Sequence, residues 1–115
     1  MSITWGDYEF DGPSRLDSWT APRRAGVYAI MYKKDPTNKP KTYTIVYFGE
    51  SENLSERGFP WGHHRARCWI AKAGSKSNVY IGVHYMPGST EAQRSAVEQT
   101  LITKYGPACN QELTL

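Results

Sequence analysis

Residues 43–51 read Tyr43-Thr-Ile-Val-Tyr-Phe-Gly-Glu-Ser51, and the fold prediction starts from this stretch. β-Branched and aromatic side chains fill it up to Phe48, and Gly49 then interrupts the run. Such a composition predicts a buried strand. A polar segment follows and ends at Arg57. The strand would therefore deliver Tyr47, and then an arginine, to one end of a sheet.

A second strand is predicted upstream, at Gly26 to Tyr32, where the sequence reads Gly-Val-Tyr-Ala-Ile-Met-Tyr. Between the two strands lies a polar segment, Lys33 to Lys41, which is interrupted by prolines and contains four lysines. Loops of this composition join strands into antiparallel hairpins. The hairpin would bring Tyr28 close to Tyr47.

Downstream of the hairpin, the sequence predicts two helices, a strand and a final helix. Their expected bounds are Glu52 to Arg57, Trp61 or Gly62 to Ala73, Asn78 to Met86, and Thr90 to Tyr105. Thr90 and Gln93 have the spacing of a capping box, and Gly106-Pro107 ends the last helix. With the first two helices counted as one helical region, the predicted order is β-β-α-β-α. It indicates an α/β (α+β) fold in which helices flank a small, mostly antiparallel sheet of three strands.

Length and composition predict a single intracellular domain. A chain of 115 residues with 39% hydrophobic content can bury one core. Residues 1–24 are interrupted by Gly6, Gly12, Pro13 and Pro22. They are expected to be irregular, apart from a short edge strand near Ile3 to Trp5, and to pack on a domain of residues 25–115. No apolar run is long enough to cross a bilayer, and a secretory signal is not recognisable. Cys68 and Cys109 are therefore expected to be reduced.

Positive charge is concentrated in one segment. No Asp or Glu occurs between Arg57 and Thr90, whereas tryptophans and histidines are interleaved with basic side chains. The basic residues of this segment are Arg57, Arg65, Arg67, Lys72 and Lys76. Such a segment is typical of a surface that binds a polyanion, such as nucleic acid. The alternative is an ordinary solvated helix face, and charge alone leaves both readings open.

The last predicted helix places a carboxylate on its apolar face. At roughly 100° per residue, Glu98 projects into the arc of apolar side chains. That arc consists of Val97, Leu101, Ile102 and Tyr105. A carboxylate that faces a sheet must be paired, protonated or bound to a cation. The partner is either Arg94, one turn earlier, or a hard divalent cation, which prefers oxygen ligands.

Taken in order, these residues resemble the GIY-YIG nuclease superfamily. The first triplet is Gly26-Val-Tyr28 and the second is Tyr47-Phe-Gly49. The family's arginine, histidine, glutamate and asparagine are then matched by Arg57, His63 or His64, Glu98 and Asn110. Each triplet alone is a weak signal, but the ordered set covers residues 25–110. The resemblance implies metal-dependent cleavage of a DNA phosphodiester bond.

The resemblance also implies a role for each of these residues. Glu98 would be the sole protein ligand of one divalent cation, Mg²⁺ or Mn²⁺. Tyr28 would be the general base that activates the attacking water. Arg57 would hold the scissile phosphate, since a guanidinium gives planar, bidentate contacts and keeps its charge.

The remaining matches would support the reaction. Tyr47 would hydrogen-bond the phosphate or orient water, and His63 or His64 would support a tyrosine or relay its proton. Asn110 would brace the site from behind the last helix. The DNA backbone would be contacted by the basic segment, Arg57, Arg65, Arg67, Lys72 and Lys76, and by the lysines of the hairpin loop.

The sequence departs from the family's pattern in two places. The loop from Lys33 to Lys41 is longer than the family's shortest forms, an insertion that hairpins tolerate. Many members carry the arginine and the histidine one turn apart on a continuous helix, whereas here Gly58-Phe-Pro-Trp-Gly62 separates Arg57 from His63. The sequence therefore does not decide which histidine belongs to the site.

The leading prediction is a divalent-metal-dependent DNA endonuclease. The rival is a nucleic-acid-binding module that keeps the fold without turnover, although such a module has no need for an inward Glu98. A zinc site is disfavoured because its ligands would match no paired-cysteine spacing. Those ligands would be His63, His64, Cys68 and Cys109. Specificity is expected to come from a partner chain, self-association or DNA structure.

Overall fold

The computed structural model describes residues 1–35, 42–56 and 58–111 and contains one antiparallel sheet of five strands. The strands are β1 (Ser2–Trp5), β2 (Tyr8–Arg15), β3 (Gly26–Tyr32), β4 (Thr44–Ser51) and β5 (Val79–Tyr85). Their order across the sheet is β1-β2-β5-β3-β4. β3 therefore lies inside the sheet, and β4 forms one of its edges.

The α+β class and the antiparallel sheet are confirmed, but the prediction of three strands is wrong. Residues 1–24 are largely ordered as β1, which confirms the edge strand expected near Ile3 to Trp5, and as β2, which was not predicted. The two strands pair from Ser2↔Asp11 to Trp5↔Tyr8. Gly6 makes the tight turn between them at φ +60°. The strand signal of β2 is masked by Gly12-Pro13, where the register with β5 shifts between Asp11 and Ser14. A proline inside a strand is tolerated at such an irregularity.

The predicted hairpin of β3 and β4 is confirmed. Tyr28 pairs with Gly49 and Ile30 pairs with Tyr47, so both tyrosines project from the same face of the sheet. The register then shifts by one residue beyond Ile30. Most of the hairpin loop, residues 36–41, lies outside the described residues, so its predicted contact with nucleic acid remains a prediction.

One helix covers each face of the sheet. Helix α1 (Ala66–Ala73) packs through Ala66 and Trp69 on the face that carries the two tyrosines. Helix α2 (Glu91–Tyr105) packs through Val97 and Leu101 on the opposite face. The capping box predicted at the start of α2 is present, with Thr90 and Gln93 bonded reciprocally. No helix in the described ranges is long and apolar enough to cross a membrane.

The helices predicted after β4 are partly wrong. Residues 52–56 form turns, so the helix predicted from Glu52 to Arg57 is absent over these residues, and α1 begins at Ala66 instead of Trp61 or Gly62. Gly58, at φ +89°, and Pro60 oppose helical geometry in this stretch. Its amide groups instead make turn hydrogen bonds, such as His63 N–H to the Pro60 carbonyl at 3.1 Å.

The expectation of reduced cysteines is also wrong, because Cys68 and Cys109 form a disulfide. Cys68 lies on α1, and Cys109 lies on the 3₁₀ turn Ala108–Asn110 that follows α2. They are 41 residues apart in sequence, and only the docking of both segments on the sheet brings them together. The number of cysteines in the sequence does not indicate whether they lie close together in the fold.

Loss of this disulfide should destabilise the fold. We expect reduction, or the double substitution Cys68→Ser with Cys109→Ser, to lower the free energy of unfolding by about 2–4 kcal/mol, because the closed loop restricts the unfolded chain. Urea unfolding with and without dithiothreitol measures the difference. The double variant, which dithiothreitol should not affect, is the control. Equal midpoints for the oxidised and reduced wild type would contradict the expectation.

Candidate active site

Two tyrosines form the centre of the candidate site. The rings of Tyr28, on β3, and Tyr47, on β4, are 6.1 Å apart between centroids. Tyr28 lies directly over Gly49, its partner across the strand pair, and a Cβ atom on Gly49 would overlap the tyrosine ring. The glycine of the second triplet is therefore required by the tyrosine of the first.

The two hydroxyl groups are not equivalent. Tyr28 is 4% exposed, whereas Tyr47 is half-buried. Burial raises the pKa of both phenols, and the nearby carboxylate of Glu98 adds to the increase. The interaction between the two side chains raises the pKa of Tyr28 and lowers that of Tyr47.

His63, rather than His64, belongs to the site. The backbone N–H of Arg65 donates to Nδ1 of His63 at 3.0 Å, so in the neutral ring the proton is on Nε2. That nitrogen points at the Tyr47 hydroxyl across 3.5 Å, a long hydrogen bond. Burial and the charges of His64 and Arg65 lower the pKa of His63 to about 4, which keeps it neutral at physiological pH. His64 stacks on the outside of this ring at 4.4 Å and is exposed.

Glu98 reaches the same end of the sheet from α2. Its half-buried carboxylate accepts a hydrogen bond from the Gln99 side chain at 3.4 Å and lies close to the backbone N–H of Glu50. Burial, followed by the charge of Glu50, raises the pKa of Glu98. The charge of Glu98 also raises the pKa values of Tyr28 and Tyr47, so the carboxylate acts on both phenols.

Arg94 does not neutralise Glu98, which was one of the two predicted alternatives. The Arg94 guanidinium is 4% exposed and pairs with Glu50 instead, with Nε 2.8 Å from Oε1. Its Nη1 atom donates to the carbonyl and the hydroxyl of Ser89, at 2.8 and 3.0 Å. Within residues 1–35, 42–56 and 58–111, Glu98 has no basic partner.

Asn110 holds β4 through the backbone of Phe48. Its side-chain oxygen accepts the Phe48 N–H at 2.8 Å, and its side-chain nitrogen donates to the Phe48 carbonyl at 2.9 Å. Because β4 is an edge strand, these groups point away from β3 and have no partner in the sheet. The Glu50 N–H, two residues further along, points the same way, and the Glu98 carboxylate lies near it. Both side chains thus approach the open edge of β4.

The donor set at this edge suits a hard divalent cation better than zinc. Glu98 offers a carboxylate that lacks a basic partner in the described part of the chain, and carboxylate oxygens are preferred by Mg²⁺ and Mn²⁺. In those described ranges, no group of three or more His, Cys, Asp or Glu side chains could hold a metal ion. The zinc alternative also fails because Cys68 and Cys109 are bonded to each other.

The predicted basic segment does not form a single stripe. Arg65 bonds the carbonyls of Cys109 and Gln111, at 2.6 and 3.1 Å. Arg67 and Lys72 are exposed but lie about 140° apart around α1. The ammonium group of Lys76 lies 4.9 Å from the ring centre of Trp61. Arg57 is outside the described residues, so its role on the phosphate remains a prediction.

Other aromatic residues support the site. Phe59, which the sequence did not single out, packs edge-on against Tyr28 at 4.8 Å, with Trp19 behind it at 5.9 Å. Trp69 is fully buried against His63 and Tyr47, so it packs under the site and cannot stack on a base. His84 lies on the opposite face of the sheet, against Tyr8 and Phe10. No local sequence signal marks Phe59, because its contact depends on the turns around it.

Removing the Asn110 side chain should release the edge of β4. Asn110→Ala leaves the N–H and the carbonyl of Phe48 without their partner, and we expect a loss of about 1–3 kcal/mol in the free energy of unfolding. Hydrogen exchange of the Phe48 amide should accelerate. Gln111→Ala, which removes an exposed amide side chain from the same segment, is the control and should change stability by less than about 0.5 kcal/mol. Unchanged exchange at Phe48 would contradict the assigned bond.

Comparison with known proteins finds similarity among solved structures. No protein-family model and no curated protein matches the chain. The magnesium-bound GIY-YIG N-terminal endonuclease domain of UvrC from Thermotoga maritima matches with 23% identity and a TM-score of 0.47, over 79% of this chain and 88% of that one. A tyrosine-to-phenylalanine mutant of that domain, bound to its catalytic divalent cation, matches with 24% identity and a TM-score of 0.48, over 80% and 88%. The superposition is partial, and the functional argument therefore depends on the chain's own residues.

Proposed function

We propose that this chain is a divalent-metal-dependent endonuclease of GIY-YIG type that hydrolyses phosphodiester bonds in DNA. The observation that carries the proposal is the half-buried Glu98 carboxylate, which lacks a basic partner among the described residues and shares one end of the sheet with Tyr28, Tyr47 and a neutral His63. A carboxylate in that position is costly unless a cation compensates its charge. A module that only binds nucleic acid has no use for it.

Glu98 is the residue that would hold the cation, with the remaining ligand positions left to water and to phosphate oxygens. When bound, Mg²⁺ or Mn²⁺ supplies electrophilic stabilisation of the charge that develops on the phosphate and the leaving oxygen. The nearby Glu50 N–H lowers the pKa of Glu98 and so favours the charged carboxylate that a cation would need. Arg94 compensates the charge of the second carboxylate nearby, that of Glu50.

Tyr47 is the better candidate for the general base, in contrast to Tyr28, which the resemblance implies. Tyr47 is the more exposed of the two phenols, and its oxygen lies 3.5 Å from Nε2–H of His63. A bond donated to an oxygen favours its deprotonated form. Tyr28 packs beside Tyr47 and would act through it. Arg57 would bind the scissile phosphate, as the resemblance implies, and Asn110 would keep β4 in place.

The charge of Glu98 should be essential for cleavage. We expect the wild type to nick supercoiled plasmid or branched DNA in Mg²⁺ or Mn²⁺ and to be inactive in EDTA. Glu98→Gln, which keeps the shape of the side chain, should reduce the rate by about 100-fold or more, because a bound metal contributes several kcal/mol to the transition state. Glu91→Gln, an exposed change on the same helix, is the matched control and should remain active.

Two other outcomes would reject the proposal. Equal cleavage by wild type and Glu98→Gln would identify a contaminating nuclease. Salt-dependent binding of DNA without cleavage of any tested substrate would instead favour the binding module.

Substitution of each tyrosine should identify the base. We expect Tyr47→Phe to lower kcat by about 100-fold or more, which is the range for general-base catalysis. Tyr28→Phe should lower it less, because Tyr28 reaches the reaction only through Tyr47. Affinity for uncleaved DNA, measured with Ca²⁺ in place of Mg²⁺, should be unchanged in both. The opposite order of effects would assign the base to Tyr28.

A further inference from the structure

Two arginines outside the predicted basic segment lie directly before β3. Arg23 and Arg24 are both exposed, but the backbone around them is fixed. The Arg24 carbonyl accepts the N–H of Leu54 at 2.9 Å, and the Ala25 carbonyl accepts the N–H of Met86 at 2.9 Å. The arginine pair is therefore tied to the segments that follow β4 and β5, at the end of the sheet where the site lies.

The strand register places Arg24 on the same face as the tyrosines. Val83 pairs with Tyr28, and Tyr85 pairs with Gly26, so Tyr85 projects from the Tyr28 face one row further out, about 7 Å along the strands. The Arg24 guanidinium lies over the Tyr85 ring, 4.3 Å from its centre. Arg24 therefore flanks Tyr28 on the β5 side, whereas Tyr47 flanks it on the β4 side.

Arg24 is held in place by an aromatic ring rather than by an ion pair in the described part of the chain. A guanidinium that stacks on an aromatic ring keeps its N–H groups free at its edges, where they can form a bidentate contact with phosphate. Within the described ranges, Arg15 pairs with Asp17 and Arg94 pairs with Glu50, whereas neither Arg23 nor Arg24 forms an ion pair. Both arginines line a cavity of about 310 Å³ together with Gly88 and Ser89, and Glu52 is the acidic residue of this lining.

We propose that Arg23 and Arg24 bind the backbone phosphates of the nucleic-acid strand next to the scissile position, on the β5 side of the site. This inference rests on the proposed function and adds the path of the substrate. The nucleic-acid strand would run across this end of the β-sheet, from His63 and Tyr47, over the tyrosine pair, to the Arg23–Arg24 cavity. It would not follow α1, because Arg67 and Lys72 point in different directions and Arg65 is bonded to the C-terminal segment.

The test measures the salt dependence of DNA binding. In the Glu98→Gln background, which prevents cleavage, a fluorescent duplex is titrated at several salt concentrations with the protein and with its double variant Arg23→Gln, Arg24→Gln. We expect the double variant to bind about 10-fold more weakly at low salt and to lower the slope of log K against log salt by about 2, since each phosphate contact contributes about 0.9. Both side chains are exposed, and circular dichroism checks the fold.

Two controls separate this surface from general electrostatics. Arg15→Gln removes an exposed arginine that is already paired with Asp17, and the pair Arg67→Gln, Lys72→Gln removes the same amount of charge from α1. Both should leave the slope within about 0.5 of the parent value, far from the change of about 2 expected above. Arg24→Lys keeps the charge but not the planar fork, so it should retain the slope and lose part of the affinity.

An unchanged slope in the Arg23–Arg24 double variant, with cleavage by the wild type intact, would overturn this inference and leave the proposed function standing. An equal decrease of the slope in the Arg67–Lys72 control would also overturn it, because the nucleic-acid strand would then lie along α1. Absence of both binding and cleavage in the wild type would reject the proposed function together with the inference.

Discussion

β4 is the last strand of the sheet, so the backbone groups of Phe48 and Glu50 that point away from β3 need partners from outside the sheet. Asn110 satisfies both groups of Phe48, and the Glu98 carboxylate lies near the N–H of Glu50. Exposed strand edges are generally covered or charged in folded proteins. Here the cover includes two side chains that belong to the candidate site. A displaced α2 would therefore uncover this edge of β4 and move Glu98 away from the tyrosines.

Which carboxylate is neutralised at this end of the sheet depends on the partner with which Arg94 forms its ion pair. Glu50 and Glu98 are close enough for the charge of Glu50 to raise the pKa of Glu98. Arg94, almost completely buried, could in principle serve either carboxylate, but its bonds to Ser89 hold it at the start of α2 beside Glu50. A buried arginine without a partner would be strongly destabilising, so the Glu50 pair is a structural requirement. Glu98 is thereby left without a basic neighbour in the described residues and available to a cation.

The parts of the fold that the sequence could predict are those encoded by local pattern. The hairpin of β3 and β4 follows from two apolar runs around a polar loop, and the inward position of Glu98 follows from helical periodicity. The failure to predict β2 is explained by Gly12-Pro13, which breaks the alternation within this strand although Phe10 is fully buried. The disulfide and the Arg94–Glu50 pair join segments far apart in sequence, and no local pattern encodes which segments meet. Arg94 lies only one helical turn from Glu98, so local spacing favoured a pair between these two residues, although Arg94 pairs with Glu50.

The segment that departs most from the family's pattern is also the one that orients the histidine. On a continuous helix the amide of Arg65 would bond a carbonyl four residues earlier, and the Nδ1 atom of His63 would have no backbone donor. Because residues 58–64 form turns and α1 begins only at Ala66, the Arg65 N–H is free to bond Nδ1 of His63. That bond places the proton on Nε2, towards Tyr47, while the same turns let Phe59 pack on Tyr28. The interruption is therefore compatible with a working site: the turns, rather than a helical spacing, determine how His63 faces the tyrosine pair.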